Sequence, residues 1–236
     1  MIDGPRHHHR LTDSTNDRAR ELAIAGAVSG TVVTATEQSA GRGRHGRGWS
    51  APPGAALLCS FVLRPLERRH SLLPLAVPLA VCEAAESLAP GRCQVKWPND
   101  VWIRERKVAG VLIEARPPEW AVLGIGVNLA IPDEKFPEDL RWPATSLGHG
   151  VDAEAALAAI RGALGRWTVA EPAEVVEEFA RRDALLGRRI SWHGGGAQAT
   201  GSGTATGIDD RGNLLVRLPE GDTVTLGAGE VSLSLE

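Results

Sequence analysis

The sequence predicts an α+β protein with a small all-β module at its C-terminus, and two observations carry that prediction. Through most of the chain, short apolar strand patterns alternate with longer segments whose apolar residues recur at helical spacing. From about Leu186 onward the pattern changes to short β segments separated by glycines, which is typical of tight hairpins. We therefore divide the chain into a larger domain, residues 1–185, and a small domain, residues 186–236, of the size of an SH3-like barrel.

The elements of the larger domain follow from local patterns. A first helix starts at residues 14–16, because Ser, Thr and Asn favour the capping positions of helices. Residues 71–89 predict a buried helix, with Pro74 in its first turn and a bend at Pro78. The predicted strands are residues 31–36, 57–63, 94–97, 101–103, 108–114 and 121–129, the fourth and fifth forming a hairpin. Two amphipathic helices follow, marked by apolar residues at helical spacing: Leu157, Ile160, Leu164 and Trp167, then Val175, Val176 and Phe179.

The small domain contains five predicted strands and no recognisable chemistry. The strands are residues 188–192, 203–208, 214–218, 223–226 and 230–235, with turn signals at residues 210–213 and 220–222. No nucleophile lies beside a base, and no histidine lies beside a carboxylate cluster. The sequence therefore predicts a module that stabilises the protein or contacts a partner.

The composition excludes several classes of protein. Of 236 residues, 43% are hydrophobic and 23% charged, and the formal net charge is −3, whereas a general nucleic-acid binder would be basic. No signal-peptide pattern and no run of about 18 apolar residues occurs. The three cysteines form no C-x-x-C pair. We therefore expect a cytoplasmic protein without a membrane span.

Residues 41–49, GRGRHGRGW, form the most distinctive segment. Glycine allows close approach of the backbone to a ligand, and arginine matches phosphate and carboxylate oxygens. If the segment is extended, Arg42 and Arg44 point to one side and form a clamp for a polyphosphate. The alternative is a solvated basic loop or a nucleic-acid contact. The chain has no P-loop, and residues 124–126 are not a dinucleotide fingerprint because Leu129 replaces its third glycine.

Four further polar segments have both a functional and a structural interpretation. Residues 14–16 are site groups or simple helix caps, and residues 96–100, KWPND, are site groups or a turn. Lys107 is a site cation or an edge lysine that discourages aggregation. Residues 7–9, three histidines, lack partners at metal-ligand spacing, so we interpret them as an exposed N-terminal run or a cloning remnant.

Five motifs occur in a characteristic order: residues 14–16 (STN), 37–49 (EQSAGRGRHGRGW), 96–100 (KWPND), 106–110 (RKVAG) and 124–128 (GIGVN). This series closely resembles biotin protein ligases, of the type named biotin–[acetyl-CoA-carboxylase] ligases. The resemblance covers most of residues 11–147, and the small domain also looks like the second domain of that family. It implies a mixed, mainly antiparallel sheet with helices on its outer face, as in class II aminoacyl-tRNA-synthetase-like domains.

The resemblance also implies a two-step reaction and a role for each motif residue. Biotin is activated with ATP to biotinyl-5′-AMP, and the biotinyl group then passes to a lysine of a carrier domain. The implied catalytic residues are Lys107, Arg42, Arg44 and Asp100. The implied biotin-binding residues are Ser14, Thr15, Asn16, Gln38, Arg42, Gly43, Arg44 and Lys107. The implied ATP- and adenylate-binding residues are Arg44, Arg47, Trp49, Asn99, Lys107 and Asn128. No residue is assigned to a metal, and Mg²⁺ is expected with ATP.

The expected partner is the biotin carboxyl carrier domain of an acyl-CoA or pyruvate carboxylase. We expect a monomer or homodimer that binds no membrane and no DNA, because only about thirteen residues precede Ser14. Two alternatives stay open: a lipoate–protein ligase or octanoyltransferase, and a non-enzymatic nucleic-acid-binding module. The transferase needs a nucleophilic cysteine, whereas Cys59, Cys82 and Cys93 lie in apolar or motif-free surroundings.

Overall fold

The computed structural model describes residues 2–138, 140, 142–194, 200–227 and 231–235. The larger sheet is formed by β1 (Arg6–Thr12), β2 (Val32–Gln38), β3 (Ala56–Leu63), β4 (Cys93–Lys96), β5 (Asp100–Ile103), β6 (Arg106–Arg116) and β7 (Trp120–Asn128). The helices are α1 (Thr15–Ile24), α2 (Leu73–Leu88), α3 (Ala153–Trp167) and α4 (Pro172–Arg182). The second sheet is formed by β8 (Arg189–Gly194), β9 (Thr200–Ile208), β10 (Leu214–Arg217), β11 (Thr223–Leu226) and β12 (Val231–Leu235).

The larger sheet has the strand order β1-β2-β3-β7-β6-β5-β4. Its β1–β2 pair is parallel and the other neighbours are antiparallel, so the predicted mixed, mainly antiparallel sheet is confirmed. Every residue of the central strands β3 and β7 is buried, and helices pack on both faces of the sheet.

Alternation along β3 separates the two faces of this sheet. Phe61 belongs to the main core together with the buried residues of α2 and α3. Its neighbour Val62 faces the other way and packs with Ala19 and Ala23 of α1. The face that carries α1 is only partly covered by that helix, and the remainder is the floor of a cavity.

Helix α2 is the central core helix. It is apolar on most sides, which is typical of a helix surrounded by protein. Pro74 lies in its first turn, where no backbone hydrogen bond is lost, and Pro78 lies inside it. By length and composition the segment Arg68–Leu88 would suffice to cross a membrane, but 67% of its most apolar window is buried inside this protein. The predicted buried helix over residues 71–89 is therefore confirmed.

The C-terminal sheet is antiparallel with the order β11-β10-β9-β8-β12, so the predicted small all-β module is confirmed; Glu230 of its last predicted strand lies outside the described residues. Its core is continuous with the larger domain, since Trp192 and Leu214 belong to the same cluster as α2. The indole nitrogen of Trp97 also donates to the carbonyl oxygen of Gly212 at 3.0 Å, which ties the KWPND segment to a turn of this sheet.

One strand was missed by the sequence patterns. Residues 7–9 are not a loose N-terminal run but the middle of β1, which pairs in parallel with β2. Their side chains are mostly exposed because β1 is an edge strand, so no apolar alternation marks it. The described residues contain no group of three or more metal-binding side chains, here or elsewhere.

Candidate active site

A cavity of about 530 Å³ lies on the sheet beside α1, within the size range of small-molecule sites. It collects residues from all the polar segments of the sequence except the histidines. Its lining includes Ser14, Thr15, Asn16, Gln38, Arg42, Gly43, Arg44, Arg47, Trp49, Asn99, Asp100, Lys107 and Asn128. The fold thus brings every site residue implied by the sequence to one place.

Two neighbouring glycines of β7 form the floor of this cavity. Gly124 lies between Leu112 and Ser60 on the adjacent strands, and Gly126 lies between Gly110 and Leu58. Because residues two apart share a face of a strand, both glycines face the cavity. Their missing side chains leave space that other residues occupy.

At Gly124 the space is occupied by the amide of Asn16. A Cβ atom on Gly124 would lie 1.9 Å from Oδ1 of Asn16. That oxygen accepts a hydrogen bond from Ser60 at 2.7 Å, and Nδ2 donates to Glu114 at 3.0 Å and to the carbonyl of Leu112 at 3.4 Å. The polar atoms of Asn16 are therefore engaged by protein groups, and its amide is fixed in the floor.

The same network extends to Thr15 and Gln38. The backbone N–H and the hydroxyl of Thr15 both donate to Oε1 of Gln38, at 2.7 and 3.0 Å. Ser60 is also within hydrogen-bond distance of the Thr15 hydroxyl, at 2.8 Å. Ser14, at the N-cap position, is buried but its side chain makes no capping bond. Capping alone therefore does not explain the Ser-Thr-Asn motif, and the polar groups at this end form a preformed wall.

At Gly126 the space is occupied by the indole of Trp49. A Cβ atom on Gly126 would lie 2.5 Å from this ring, and one on Gly110 would lie 2.9 Å from it. The ammonium of Lys107 lies 5.5 Å from the ring centroid, within cation–π range. The Nε1 atom of Trp49 is buried and has no hydrogen-bond partner among the described residues.

Lys107 is the cation beside this indole, and its ammonium pairs with a carboxylate. Nζ of Lys107 lies 2.6 Å from Oδ1 of Asp100. The backbone of Lys107 is fixed on both sides, donating to Pro143 at 2.7 Å and accepting from Thr145 at 2.8 Å. These contacts hold a cation at a defined point of the cavity wall, while the part-exposed side chain, at 26%, stays open to a ligand.

Arg44 joins the same end of the cavity. Its guanidinium donates to Oδ1 of Asn99 at 3.2 Å, and Nδ2 of Asn99 donates to the carbonyl of Val111 at 2.9 Å. Burial lowers the pKa of Arg44, and the charge of Asp100 opposes that shift. An arginine stays protonated under such a shift, so a half-buried positive charge faces the cavity.

The Gly/Arg segment is not extended. It forms a small hairpin in which Gly43 bonds Arg47 at 2.7 Å and Trp49 bonds Gly41 at 2.9 Å. His45 at its tip has a φ of 55°, a left-handed conformation that turns the chain. The two arginines therefore contact opposite ends of the cavity: Arg42 contacts Asp17 and Glu114, whereas Arg44 contacts Asn99. The condition for Arg42 and Arg44 to point to one side, an extended backbone, is therefore not met.

Two of the residues implied for nucleotide binding, Arg47 and Asn128, donate to backbone carbonyls of the protein. Arg47 is exposed, and its Nε donates to the carbonyl of Arg44 at 3.3 Å. Asn128 is buried, and its Nδ2 donates to the carbonyl of Thr145 at 2.9 Å. Asn128 thus holds the segment after β7 against the cavity in addition to lining it.

The chain matches the model of the biotin/lipoate A/B protein ligase family over residues 9–128 and that of the biotin protein ligase C terminal domain over residues 185–234. It is 39% identical over 239 residues to a biotin–[acetyl-CoA-carboxylase] ligase of Paracoccus denitrificans, covering 93% of this chain and 97% of the relative. The corresponding ligase of Mycobacterium tuberculosis is 35% identical over 235 residues, covering 93% and 85%. The chain belongs to the biotin protein ligase family.

Solved structures of biotin protein ligases show the same fold. The Aquifex aeolicus enzyme in complex with biotin and ATP superposes with a TM-score of 0.84 at 29% identity, covering 98% of this chain and 99% of that one. The Leishmania major enzyme in complex with biotinyl-5-AMP gives a TM-score of 0.67 at 27% identity, covering 94% and 98%. The predicted fold class and family are thereby confirmed.

The burial of the three cysteines agrees with membership of the biotin protein ligase family. All three are buried, and burial raises the pKa of Cys59 to about 12 and that of Cys82 well above its usual value. A thiol that stays protonated is a poor nucleophile. The octanoyltransferase alternative therefore lacks an accessible cysteine nucleophile in this chain.

Several residues in and around the cavity were missed by the sequence patterns. Ser60 is a lone hydroxyl within an apolar strand, a signal that could have marked it. Glu114 ends a predicted strand and gave no such signal. Phe136, Leu140 and Trp142 also line the cavity, and they lie in a segment without hydrophobic periodicity. The ammonium of Lys96 lies 4.7 Å from the ring centroid of Trp142.

Proposed function

We propose that this protein activates biotin with ATP and transfers the biotinyl group to a lysine of a biotin carboxyl carrier domain. In the first step a carboxylate oxygen of biotin attacks the α-phosphorus of ATP, and the bond to pyrophosphate breaks. In the second step the carrier lysine amine attacks the acyl carbon, AMP leaves, and the amine loses a proton. One observation carries the proposal: a single cavity joins a preformed polar wall at Gly124 to a cationic, aromatic end at Gly126.

The Gly124 end suits biotin. Biotin is an apolar bicycle with one ureido group, and such a ligand needs few but fixed donors and acceptors. We assign Ser14, Thr15, Asn16 and Gln38 to this end, with Thr15 and Asn16 held by their own network. Their bonds within the protein mean that the wall is shaped before the ligand arrives, which limits the entropy lost on binding.

The Gly126 end suits the nucleotide and the reacting groups. We propose that Trp49 stacks on adenine, and that Asn99, Asn128 and Arg47 contact the nucleotide. Lys107 is positioned to stabilise the charge that develops when the biotin carboxylate attacks the α-phosphate, and Arg44 supplies a second fixed cation. Fixed cations are needed because both reactants are anions.

For the transfer step we propose that Asp100 orients or deprotonates the incoming lysine amine. In the structure its carboxylate is paired with Lys107 at 2.6 Å. An arriving amine would compete for that carboxylate, so we expect Asp100 to act once the Lys107 ammonium has moved towards the adenylate phosphate.

Magnesium is expected to enter with the phosphates of ATP. The described residues contain no cluster of three or more His, Cys, Asp or Glu side chains that could hold a metal ion. No residue of the chain is therefore assigned to Mg²⁺, and no reaction step is derived from it. Chelation should abolish activity by altering the nucleotide, without lowering the melting temperature of the protein.

Other parts of the proposal concern partners and organisation. We propose a carrier domain of an acyl-CoA or pyruvate carboxylase as the acceptor, and a cytoplasmic location for the enzyme. We also propose that the two domains divide between residues 185 and 186, which is supported by the family match that starts at residue 185. The expected absence of DNA binding is tested by a gel shift with biotin and ATP. Sedimentation tests the expectation of a monomer or homodimer.

The deciding experiment incubates the protein with ATP, Mg²⁺ and labelled biotin, with lipoate as the control substrate. We expect pyrophosphate release and a labelled adenylate with biotin only, and label on the carrier lysine after a carrier domain is added. A product with lipoate but not with biotin would instead identify a lipoate–protein ligase. An absence of both products refutes the proposed function.

A further inference from the structure

A cluster of four charged side chains lies beside the Gly124 end of the cavity. Nη1 of Arg42 lies 2.8 Å from Oδ1 of Asp17, and its Nη2 lies 3.1 Å from Oε1 of Glu114. Arg20 contacts the same two carboxylates, at 2.6 and 3.5 Å. Two guanidinium groups and two carboxylates therefore balance, and the charge of Arg42 is compensated within the protein.

The carboxylate of Glu114 contacts two different parts of the site. Oε1 contacts Arg42 on the Gly/Arg hairpin, and Oε2 accepts from Asn16 at 3.0 Å and, at the longer distance of 3.4 Å, from Arg42 as well. Asn16 in turn accepts from Ser60 on the central strand β3. A continuous series of hydrogen bonds thus runs from the middle of the sheet, through the floor of the cavity, to the hairpin above it.

The hairpin depends on such polar attachments. Residues 41–48 carry no apolar side chain and none of them is buried, so Trp49 anchors only the base of the hairpin. Ordering a segment costs conformational entropy that its contacts must offset. Arg42 with its two carboxylates attaches one arm of the hairpin, and Arg44 with Asn99 attaches the tip.

We propose that Glu114 is a positioning residue for the biotin end of the site. It holds Arg42, and through Arg42 the closed hairpin, while it keeps the Asn16 amide in the floor. One side chain thereby couples the orientation of the floor to closure of the hairpin. This inference rests on the proposed function. On this inference Arg42 holds the hairpin closed over the biotin end, whereas the guanidinium of Arg44 faces the nucleotide end.

The test measures how fast biotinyl-AMP leaves the enzyme after it has been formed in place and chased with unlabelled ligand. Glu114→Gln keeps the size of the side chain and removes its charge, and Arg42→Gln removes the other partner. Each should release biotinyl-AMP about 5- to 10-fold faster, since charge-assisted hydrogen bonds are lost from half-exposed groups. The KM for biotin should rise by a larger factor than kcat falls.

The double variant distinguishes coupling from independent damage. If Glu114 acts through Arg42, the double variant releases biotinyl-AMP no faster than the faster single variant. Glu119→Gln is the matched control, because Glu119 is an exposed carboxylate beyond the C-terminal end of β6 that pairs with Arg116 at 3.2 Å and lies outside the cavity lining. This control should match the unmodified enzyme, and Glu114→Asp should restore part of the retention.

Two results overturn the inference. One is release by Glu114→Gln within twofold of the unmodified enzyme, whatever its melting temperature. The other is a double variant whose release rate is the product of the two single effects. Failure of the unmodified protein to form any biotinyl-AMP is a separate outcome, which would refute the proposed function before this test begins.

Discussion

At the Gly124 end of the cavity the side-chain amide of Asn16 is bonded to Ser60, Glu114 and a backbone carbonyl, whereas at the Gly126 end the buried indole nitrogen of Trp49 has no partner among the described residues. The first end is complete without a ligand. The second contains a polar atom whose burial costs free energy until a partner arrives. We expect the Gly124 end to bind its ligand without rearrangement, and the Gly126 end to gain its missing contacts only when its ligand binds.

The largest expected effect is at the nucleotide end. Lys107→Gln removes the cation that we place at the developing charge, and should lower the rate of pyrophosphate release by about 100- to 1,000-fold. Stopped-flow detection of pyrophosphate with saturating biotin measures it. Lys135→Gln is the control, because Lys135 is exposed and lies outside the cavity lining. A loss of less than tenfold would remove Lys107 from the chemical step.

At the biotin end, Gly124→Ala should weaken biotin binding by about 100-fold. Its Cβ atom would lie 1.9 Å from Asn16 and would displace the amide from the floor. Calorimetric titration with biotin alone measures the affinity. The clash should also lower the melting temperature. The double variant Gly124→Ala with Asn16→Ala removes the clash, so its melting temperature should be higher than that of Gly124→Ala while the biotin affinity stays low. Recovery of both would show that Asn16 has no part in the biotin site.

The matched change at the other end, Gly126→Ala, should raise the KM for ATP by about tenfold. Its Cβ atom would lie 2.5 Å from Trp49 and would tilt the indole off its glycine floor. The affinity for biotin measured without ATP should stay within twofold of that of the unmodified enzyme. An equal loss of biotin affinity would contradict the separation of the cavity into two ends.

Arg44→Ala should increase the release rate of biotinyl-AMP by several-fold to about tenfold, because it removes a half-buried cation from the nucleotide end. The same chase experiment measures this rate, and thermal unfolding reports on the fold. We expect little change in melting temperature, since the hairpin is attached elsewhere by Arg42. Unfolding of the variant with normal retention of biotinyl-AMP would mean that Arg44 is structural.

The smallest expected effect is that of Ser14→Ala. Capping serines contribute about 0.5–2 kcal/mol to stability, but the Ser14 side chain makes no capping bond. We therefore expect a loss of biotin affinity of about threefold and a change in unfolding free energy below about 0.5 kcal/mol. Chemical denaturation together with biotin titration separates the two quantities. A loss of stability without a loss of affinity would restore the capping interpretation.

Sequence patterns within single segments predicted most of the helices and strands. Helix α2 and the amphipathic helix α3 were predicted because their apolar residues recur within the helix itself. Strand β1 was not, since an exposed edge strand of histidines and arginines carries no alternation, and only its pairing with β2 makes it a strand. The hairpin of residues 41–49 was also missed, because its turn depends on a left-handed His45 that the residue type does not demand.

The sequence alone determined the family, the order of the motifs and the residue types that the chemistry needs, because these are properties of local segments. The tertiary structure decided which of these residues meet. Strand register placed Gly110 beside Gly126 and Ser60 beside Gly124, and the hairpin sent Arg42 and Arg44 to opposite ends of the cavity. The role of Glu114 arises in the same way, since its partners Asn16 and Arg42 are 98 and 72 residues away along the chain. Such contacts depend on how strands pair, and no local pattern contains that information.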